Sequence, residues 1–383
     1  MTHAVMLLSN GFVSDPRVEK EARALLGSGW RVTVLAWDRS REAPEREHRD
    51  GVTIERLGPP ASHGAGLANV SAYRAFWTAA ARRTVELGAD VVHCHDLDTA
   101  PAGLSAVRSL ERVRGRRAAL VLDFHELYRE SNMIPHAGIK GAVAGIGVRW
   151  VERSALRRAD VVIVANPGTA NSYGSSAEQR IVVVENAPDS SILRPDPAAR
   201  VCQPFTVGYA GQKRYAGGLV DLIEVVQSHS DMHAFLAGGG TAAEEIARLA
   251  AARERVEVSG RFGYADLPSL YGRFDVVYAV YDAALGNVRT LFPVKVMEGI
   301  SCGLPVVVTK GTWVGDWVNE HGVGIAVSPG DRGELEAALV RLKDDPVLRA
   351  EMGAAGRAVV DAGLNWKAAS ERLLAVYARF GAA

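Results

Sequence analysis

The sequence predicts an α/β protein with two Rossmann-like domains that face each other across a central cleft. Short apolar runs alternate with helical patterns in both halves of the chain, which is typical of parallel sheets with crossover helices. The length of 383 residues suits two domains, each with its own core, better than one. Ligands of open α/β sheets bind beyond the carboxyl ends of the strands, so two such sheets predict a ligand cleft.

Strands are predicted wherever a short apolar run is bounded by turn residues. In the first half these runs are 4–9, 31–36, 52–57, 91–95, 120–125, 161–165 and 181–185. In the second half they are 205–209, 233–238, 256–260, 276–279, 306–309 and 324–327. Helical patterns include 18–27, 71–87 and 366–380. Glycines follow several strands where the chain must turn closely towards a ligand or a helix, at Gly11, Gly211 and 238–240.

The break between the two domains is predicted at residues 186–204. Four prolines interrupt any regular element there, namely Pro188, Pro195, Pro197 and Pro204. We therefore expect an N-terminal domain over 1–190 and a C-terminal domain over 200–365. The last segment, 366–383, is expected to be a helix that either returns to the first domain or packs on the second.

Charge and cysteine content exclude several classes of protein. Lysine plus arginine and aspartate plus glutamate each number 44, so general nucleic-acid binding is not expected. The three cysteines, Cys94, Cys202 and Cys302, lie far apart, which fits a reducing cytoplasm and core or incidental thiols rather than structural zinc. The first residues predict a strand and no signal peptide, so we expect a cytoplasmic protein.

No apolar run is long enough to predict a membrane span. The nearest candidate, 138–151, is broken by Lys140 and Arg149 and is followed by three further arginines. A helix packed at a domain edge is the expected structure. Contact with an anionic membrane surface is the alternative.

The segment 292–308 is the part of the chain that says most about ligand binding. Pro293 is predicted at the first helical position, and the helix is expected to run to about Cys302, with Gly303 as its left-handed cap. The free N–H groups and positive dipole end of such a helix attract phosphate oxygens. Lys295 adds a cation in the first turn, and Glu298 has the acceptors that a ribose diol needs. A solvated glutamate near the helix start is the alternative for Glu298.

The motifs of both halves resemble retaining glycosyltransferases of the GT-B fold, family 4 (glycosyl transferases group 1), over nearly the whole chain. The C-terminal half carries V-G-Y-A-G at 207–211, L-A-G-G-G at 236–240, V-S-G-R-F at 258–262 and P-x-K-x-x-E from Pro293. The N-terminal half carries N-G-F-V-S-D-P-R-V at 10–18, V-V-H-C-H-D at 91–96 and D-F-H-E-L-Y at 123–128. The resemblance implies a C-terminal domain that holds a nucleotide sugar and an N-terminal domain that receives the acceptor.

The resemblance also implies roles for individual residues. Glu298 would bind the ribose hydroxyls, while Arg261 and Phe262 would contact the base. The residues implied in donor binding are Gly11, Gly211, Gly239, Arg261, Phe262, Asn287, Val288, Arg289, Thr290, Lys295 and Glu298. The catalytic residues implied are His125, near the transferred sugar, with Lys213 and Arg214 at the diphosphate. The acceptor side would be lined by Asp15, Arg17, His95 and Asp96.

The chain departs from the family pattern at two positions. Many members carry a first glutamate where this chain has Thr290, so donor-sugar contacts would fall to main-chain groups of 286–291, with Arg289 as an extra cation. The phosphate loop has Gly217 before Gly218 where a basic residue is common, and Arg214 is the expected substitute.

These observations predict a metal-independent retaining glycosyltransferase without a cofactor. Its donor would be a UDP or GDP sugar, and its acceptor a small molecule, as in natural-product biosynthesis. A monomer or homodimer is expected, with no nucleic-acid partner and no membrane span. No general base is assigned, because the leaving phosphate itself can take the acceptor proton in a same-face displacement.

Three alternatives stay open at this point. Asp96-Leu97-Asp98 spells a D-x-D pattern with which other glycosyltransferases hold a metal ion, and acceptor lining by Asp96 with a helix start at Asp98 is the preferred interpretation. Nucleotide-sugar 2-epimerases share the two-domain architecture. A non-enzymatic solute-binding protein would also close on a ligand in such a cleft.

Overall fold

A computed structural model describes residues 2–13, 15–62, 69–130, 138–173, 180–194 and 204–381 of the protein. The chain forms two compact units, one comprising Met1–Val184 with Ser370–Ala383 and the other Glu185–Ala369. Parts of the predicted interdomain segment, including Pro195, Pro197 and Cys202, lie outside the described residues.

The first unit is built on an eight-stranded sheet. Its strands are β1 His3–Leu8, β2 Arg31–Ala36, β3 Arg46–Arg49, β4 Val52–Arg56, β5 Val91–His95, β6 Ala119–Phe124, β7 Val161–Val164 and β8 Ile181–Val183. Their spatial order is β3-β4-β2-β1-β5-β6-β7-β8. The pairings are parallel except for β3 with β4, which is antiparallel.

Helices connect these parallel strands. They are α1 Pro16–Gly27, α2 Val70–Leu87, α3 Ala100–Arg114, α4 Gly138–Arg158 and α5 Pro167–Asn171. Asp15 caps α1 by accepting the Val18 N–H, and Pro16 occupies the first helical position, where its missing N–H costs nothing. Side chains of α2, α3 and α4 cover one face of the sheet in a continuous apolar core.

The second unit is a six-stranded parallel sheet of order β11-β10-β9-β12-β13-β14. Its strands are β9 Phe205–Ala210, β10 Met232–Ala237, β11 Val256–Ser259, β12 Val276–Ala279, β13 Val306–Thr309 and β14 Gly324–Val327. Its helices are α6 Gly217–Gln227, α7 Ala243–Ala250, α8 Leu267–Tyr271, α9 Val294–Ser301, α10 Trp313–His321, α11 Arg332–Asp344 and α12 Pro346–Asp361. Two apolar clusters, one on each face of the sheet, form its core.

The last helix, α13 Trp366–Gly381, contributes its later turns to the first unit. The Tyr377 hydroxyl lies 2.7 Å from His93 Nδ1, and the Tyr377 ring meets Trp30 edge-on at 5.0 Å between centroids. Both contacts are buried. The C-terminal helix therefore completes the interior of the first unit.

The prediction of two α/β units built on parallel strands is confirmed, and the predicted strands are present with ends that differ by no more than two residues. Strand β3 was not predicted, because its sequence, Arg-Glu-His-Arg, has no apolar alternation. It is an edge strand, held through ion pairs such as Arg46 with Glu55 on β4. Pro293 is the N-cap of α9, with extended backbone, and not its first helical residue as predicted. Cys94 and Cys302 are buried thiols.

None of the helices that the structure describes combines the length and the apolar character that crossing a membrane requires.

Candidate functional site

The carboxyl ends of β9 and β10 carry two glycine loops pressed against each other. Gly211 has φ +145°, and Gly238 and Gly240 have φ +121° and +135°, values that favour glycine strongly. A Cβ on Gly238 would lie 2.0 Å from the Gly211 carbonyl oxygen. Any side chain there would push the loops apart. No side chain of these glycines therefore covers the main chain at this end of the sheet, so a ligand can approach the backbone closely.

Lys213 follows the first of these loops and is fully buried. Its ammonium donates to the carbonyl oxygens of Gly238 and of Ser259, the latter at 3.1 Å. Burial lowers the pKa of Lys213 to about 8. The side chain thus ties the ends of three neighbouring strands together and keeps a positive charge near them at neutral pH.

Lys295 lies in the first turn of α9 and is 8% exposed. Its ammonium donates to the Tyr281 hydroxyl at 2.7 Å and stands 3.7 Å above the centre of the Tyr209 ring. A Cβ on Gly211 would be 3.1 Å from the ammonium nitrogen, so this cation faces the glycine loop.

The surroundings of Lys295 destabilise its charged form. Burial lowers its pKa to about 7, Glu298 works in the opposite direction, and Arg214 and Lys213 lower the pKa further. A cation that loses solvation and faces other cations gains from any anion placed beside it. The helix start also attracts an anion, since the first N–H groups of α9 point outwards there.

Glu298 lies one turn further along α9 and is almost buried. The Tyr271 hydroxyl donates to Glu298 Oε2 at 2.6 Å, which fixes the carboxylate in place. Tyr271 lies on α8, so a second helix holds the carboxylate of Glu298, the predicted partner of the ribose. The predicted role of Glu298 in ribose binding stays a prediction.

The other predicted donor residues of this unit surround the same strand ends or lie in the segment before α9. Gly239 and Arg261 are in contact, since a Cβ on Gly239 would lie 3.2 Å from Arg261 Nε. A cavity of about 590 Å³ is lined by Lys213, Gly239 and Arg261 among others. Arg214 is exposed and donates to Gln212 Oε1 at 2.9 Å.

Four further predicted residues form the short helical turn Gly286–Arg289 and its end at Thr290. Val288 is buried, and Arg289 is exposed with its guanidinium towards the Ala283 carbonyl at 3.4 Å. Asn287 accepts the main-chain N–H of Thr290 through its carbonyl oxygen. Phe262 is half-buried and packs on the core of the unit, which limits how much of its ring a base could contact.

A second polar cluster lies in the first unit, where β5 and β6 end side by side. Their parallel register pairs His95 with Asp123. His125 Nε2 lies 3.2 Å from Asp123 Oδ2 and 3.2 Å from His95 Nδ1. The His125 main-chain N–H donates to Asp96 Oδ1, and its ring Nδ1 lies 3.6 Å from Asp96 Oδ2. His125 is therefore held between two carboxylates.

Those carboxylates decide the protonation of His125. Burial by itself would lower the pKa of His125, but Asp96 and Asp123 outweigh burial and raise this pKa to about 10. Burial raises the pKa of Asp96 to about 7. His125 is accordingly an imidazolium at neutral pH, about one quarter of which is exposed.

Arg17 closes the cluster from α1. Its Nε and Nη2 donate to the two oxygens of Asp123 at 3.0 and 2.7 Å, and Nη1 donates to the Val184 carbonyl. Glu21, one turn along α1, lies 3.1 Å from Arg17 Nε. The guanidinium is only 3% exposed. It is committed to interior partners, so the expectation that Arg17 contacts the acceptor does not fit its position.

The same cluster offers donor atoms of a kind that metals use. Atoms of Glu21, His93, His95 and Asp123 lie within 4.8 Å of one another, all of them buried. Arg17 already occupies both oxygens of Asp123, so the protein supplies its own cation at the centre. The arrangement fits a buried charge network better than a metal site.

The remaining predicted acceptor residues have structural partners as well. Asp15 caps α1 and accepts from Asn10 Nδ2 at 3.1 Å. His95 is fully buried behind His125. Asp96 adopts φ +62° and ψ +162°, a conformation that costs of the order of 1–3 kcal/mol for a side-chain-bearing residue and concentrates at functional sites. Gly11, which was predicted to contact the donor, has a main-chain carbonyl that accepts from Arg56 Nε at 2.7 Å.

Several side chains at these sites were missed in the sequence. They are the tyrosines around Lys295 and Glu298 and the buried acids around Arg17, namely Tyr209, Tyr271, Tyr281, Glu21 and Asp123. For the buried acids a signal was available in the sequence, namely polar residues inside an apolar strand. His93 and His95 alternate on one face of a buried strand, which requires polar partners inside the fold.

Bare glycine loops and buried cations at strand ends define a ligand-binding α/β protein, and comparison with known proteins identifies the family. Residues 14–187 match the glycosyl transferase 4-like domain, and residues 204–345 match the glycosyl transferases group 1. Together the two matches cover most of the chain. The chain belongs to the group 1 glycosyltransferases of the GT-B fold, which confirms the family and the fold predicted from its motifs.

Two relatives and one solved structure show how far the likeness extends. The chain is 29% identical, over 153 residues, to the GDP-mannose-dependent monoacylated alpha-(1-6)-phosphatidylinositol monomannoside mannosyltransferase of Corynebacterium glutamicum, covering 39% of this chain and 40% of that protein. It is 24% identical, over 255 residues, to the alpha-D-kanosaminyltransferase of Streptomyces kanamyceticus, covering 61% of this chain and 64% of that protein. These matches therefore span less than two thirds of either relative.

The sucrose-phosphate synthase of Thermosynechococcus elongatus has a similar structure, with a TM-score of 0.79 and 18% identity over 99% of both chains. At this identity the likeness shows the fold. The comparisons favour neither an epimerase nor a solute-binding protein.

Proposed function

We propose that this protein is a retaining glycosyltransferase that moves a sugar from a nucleoside-diphosphate sugar to a small-molecule acceptor. The observation that carries the proposal is the pair of buried ammonium groups, Lys213 and Lys295, beside the bare loops of Gly211 and Gly238. Neither ammonium forms an ion pair with a described residue. A diphosphate supplies the anion that this arrangement lacks.

The second unit is proposed to hold the donor. The ammonium of Lys295 faces the loop of Gly211, where the diphosphate would lie. The free N–H groups at the start of α9 would add to the attraction for phosphate oxygens. Glu298, braced by Tyr271, would accept from the ribose hydroxyls. As the nucleoside diphosphate leaves, its negative charge grows, and cations already in place stabilise that charge without reorganisation.

The first unit is proposed to receive the acceptor through His125 and Asp96. His125 is held as a cation by Asp96 and Asp123, so it acts through charge and position and not as a base. This agrees with a same-face displacement, in which a departing phosphate oxygen takes the proton of the acceptor hydroxyl. That mechanism retains the anomeric configuration and requires neither a metal nor a cofactor.

The names of the two relatives bear on which donor and which acceptor the protein uses. The mannosyltransferase relative is named for GDP-mannose and a phosphatidylinositol mannoside, and the Streptomyces relative for transfer of a kanosaminyl group. Both names support sugar transfer, and they differ in acceptor. The nucleotide base is proposed to be uridine or guanosine.

A thermal-shift series with UDP, GDP, ADP and inorganic phosphate tests the donor class. All four compounds are added at the same concentration, so the base that binds most tightly gives the largest shift and identifies the donor. A nucleotide present at 100 times its dissociation constant should stabilise the protein by about 2.7 kcal/mol. Inorganic phosphate is the control for unspecific anion binding. The absence of a shift with every nucleotide would contradict the proposal.

A turnover assay then separates transferase from epimerase. The sugar nucleotide selected above is incubated without acceptor, and the sugar is analysed by NMR. A transferase leaves the sugar unchanged apart from slow hydrolysis, whereas conversion to the 2-epimer would contradict the proposal. With an acceptor present, the anomeric coupling of the product reports retention or inversion.

A further inference from the structure

Helix α4 exposes an apolar stripe that no described part of the chain covers. Val143, Ile146 and Trp150 are 64%, 62% and 69% exposed. Their spacing of three and four residues places them on one side of the helix. Single exposed apolar residues are ordinary on protein surfaces, but three in line, including a tryptophan, mark a contact surface.

Arginines flank this stripe. Arg149, Arg153, Arg157 and Arg158 are exposed on the same helix. Ser154 and Arg157 continue the line of the stripe at its C-terminal end. None of these arginines forms an ion pair with a described residue, and the acid of this stretch, Glu152, is buried on the opposite side. The face is therefore apolar along its centre and positive at its borders.

A groove between α3 and α4 continues the pattern. Its volume is about 680 Å³, and its lining changes along its length from Pro101, Leu104 and Trp150 to Arg108, Arg157 and Arg158. An adjoining cavity of about 500 Å³ is lined by Arg108, Arg117, Arg157, Arg158 and Arg180 together with two acids. One end of the groove suits an acyl chain, and the other suits an anionic headgroup.

We infer that this face, which we call the α4 face, docks on an anionic phospholipid bilayer. Tryptophan and aliphatic side chains enter the boundary between headgroups and acyl chains, and arginines at the rim meet the lipid phosphates. This is peripheral binding in the plane of the membrane. It goes beyond the proposed glycosyl transfer and does not depend on it.

Charge favours a bilayer over a second copy of the chain. A twofold pairing of the α4 face with itself would bring arginines of one copy against those of the other. A nucleic acid would satisfy the arginines but would leave Val143 and Ile146 in water. An anionic bilayer offers negative charge and an apolar interior at the same place.

The inference also bears on the acceptor. A protein docked on a bilayer meets lipids and lipid-linked molecules before soluble ones. Beside the small-molecule acceptor proposed above, docking by the α4 face makes a lipid-linked molecule the alternative acceptor.

Vesicle co-sedimentation tests the inference with the full chain. Wild-type protein is compared on vesicles of phosphatidylcholine alone and of phosphatidylcholine with phosphatidylglycerol. We expect binding to the anionic vesicles that weakens as salt rises, because surface charges are screened beyond a Debye length of about 10 Å at 0.1 M salt. The tryptophan fluorescence of the protein should shift to the blue on the same vesicles, and replacement of Trp150 should remove this shift.

Two paired variants probe the two halves of the recognition. Ile146→Ser with Trp150→Ser should abolish insertion, and Arg153→Gln with Arg157→Gln should weaken binding roughly 25-fold, at about fivefold per arginine. Matched controls elsewhere are Val347→Ser, on an apolar residue 65% exposed on α12, and Arg74→Gln on α2. All these positions are exposed, so the melting temperature should stay at the wild-type value.

Three results would overturn the inference. Failure of the wild-type protein to bind anionic vesicles is one. Equal binding by the α4 variants and the controls is another. The third is a dimer in solution that dissociates when Ile146 and Trp150 are replaced, because the apolar stripe would then be a protein interface.

Discussion

The two units bury their cations in opposite ways. In the first unit, Arg17 and His125 lie against the carboxylates of Asp123 and Asp96, and the pKa of each cation is raised although burial opposes this. In the second unit, Lys213 and Lys295 lie against carbonyl oxygens, a hydroxyl group and an aromatic ring. Burial lowers their pKa values to about 8 and about 7.

This difference distinguishes buried charges that stabilise the fold from buried charges that are neutralised only when a ligand binds. A cation with carboxylate partners inside the protein is already neutralised, and it fixes the position of its neighbours. A buried cation without such a partner destabilises the free protein and gains when an anion arrives. The first cluster is therefore expected to matter most for stability, and the second most for binding.

The largest expected effect is on the stability of the first unit. Asp123→Asn keeps the size of the side chain but removes the charge that faces Arg17 and His125. Breaking a buried pair from one side leaves an uncompensated charge, so the free energy of unfolding should fall by about 3–5 kcal/mol. Urea unfolding monitored by circular dichroism measures the change.

The matched control for Asp123→Asn is Asp50→Asn, which removes the partner of Arg23. That pair has a similar length of 2.7 Å but is more than half exposed on both sides. Its loss should cost less than about 1 kcal/mol. Similar losses for the two variants would show that the first cluster does not act as a buried network.

The second expected effect has the opposite sign for stability. Lys295→Met removes a buried ammonium that lacks a carboxylate partner, so the free energy of unfolding should stay constant or rise. Affinity for the nucleoside diphosphate should fall about 10- to 100-fold, as for the loss of one charge-assisted hydrogen bond. Isothermal titration with UDP and GDP measures the affinity.

Lys310→Met is the control for Lys295→Met, since Lys310 is exposed and pairs with Glu334 at the surface. It should leave nucleotide affinity unchanged. A Lys295→Met protein that binds nucleotide like the wild type, or that unfolds much more easily, would remove the distinction between the two units.

The architecture was accessible from the sequence because periodicity and turn residues are local signals. Short apolar runs bounded by proline and glycine predicted β9 and β13, and P-x-K-x-x-E predicted α9 to within one residue at its start. Strand β3 escaped because an edge strand held by ion pairs has no apolar pattern. The family was recognisable for the same reason as the strands, since its motifs are short and contiguous.

The partners of the site residues were not accessible, because they come from distant parts of the chain. Arg17 meets Asp123 across 106 positions, and that contact depends on how α1 packs beside the end of β6. Lys295 meets Tyr209 and Tyr281, which belong to the ends of other strands. Residue type predicted where the charges would be, whereas packing decided which were neutralised.

The smallest expected effect is a proton taken up when the nucleotide binds. Because the pKa of Lys295 is about 7 in the free protein and 10.5 is its ordinary value, the unfolded chain holds a proton in that window that the folded chain lacks. Lys295 therefore contributes an increase in the free energy of unfolding as pH rises from 7 towards 10. A bound diphosphate reverses the effect, since it restores the charged form.

Nucleotide affinity should consequently be highest below pH 7 and fall by up to about tenfold per pH unit above it. Near pH 8 binding should take up close to one proton at Lys295 and a smaller fraction at Lys213, whose pKa is about 8. Titration calorimetry in buffers of different ionisation enthalpy measures this uptake. Lys295→Met should abolish most of this uptake, and Lys310→Met should preserve it. Proton release, or an affinity independent of pH between 6 and 9, would mean that Lys295 is not the cation that meets the diphosphate.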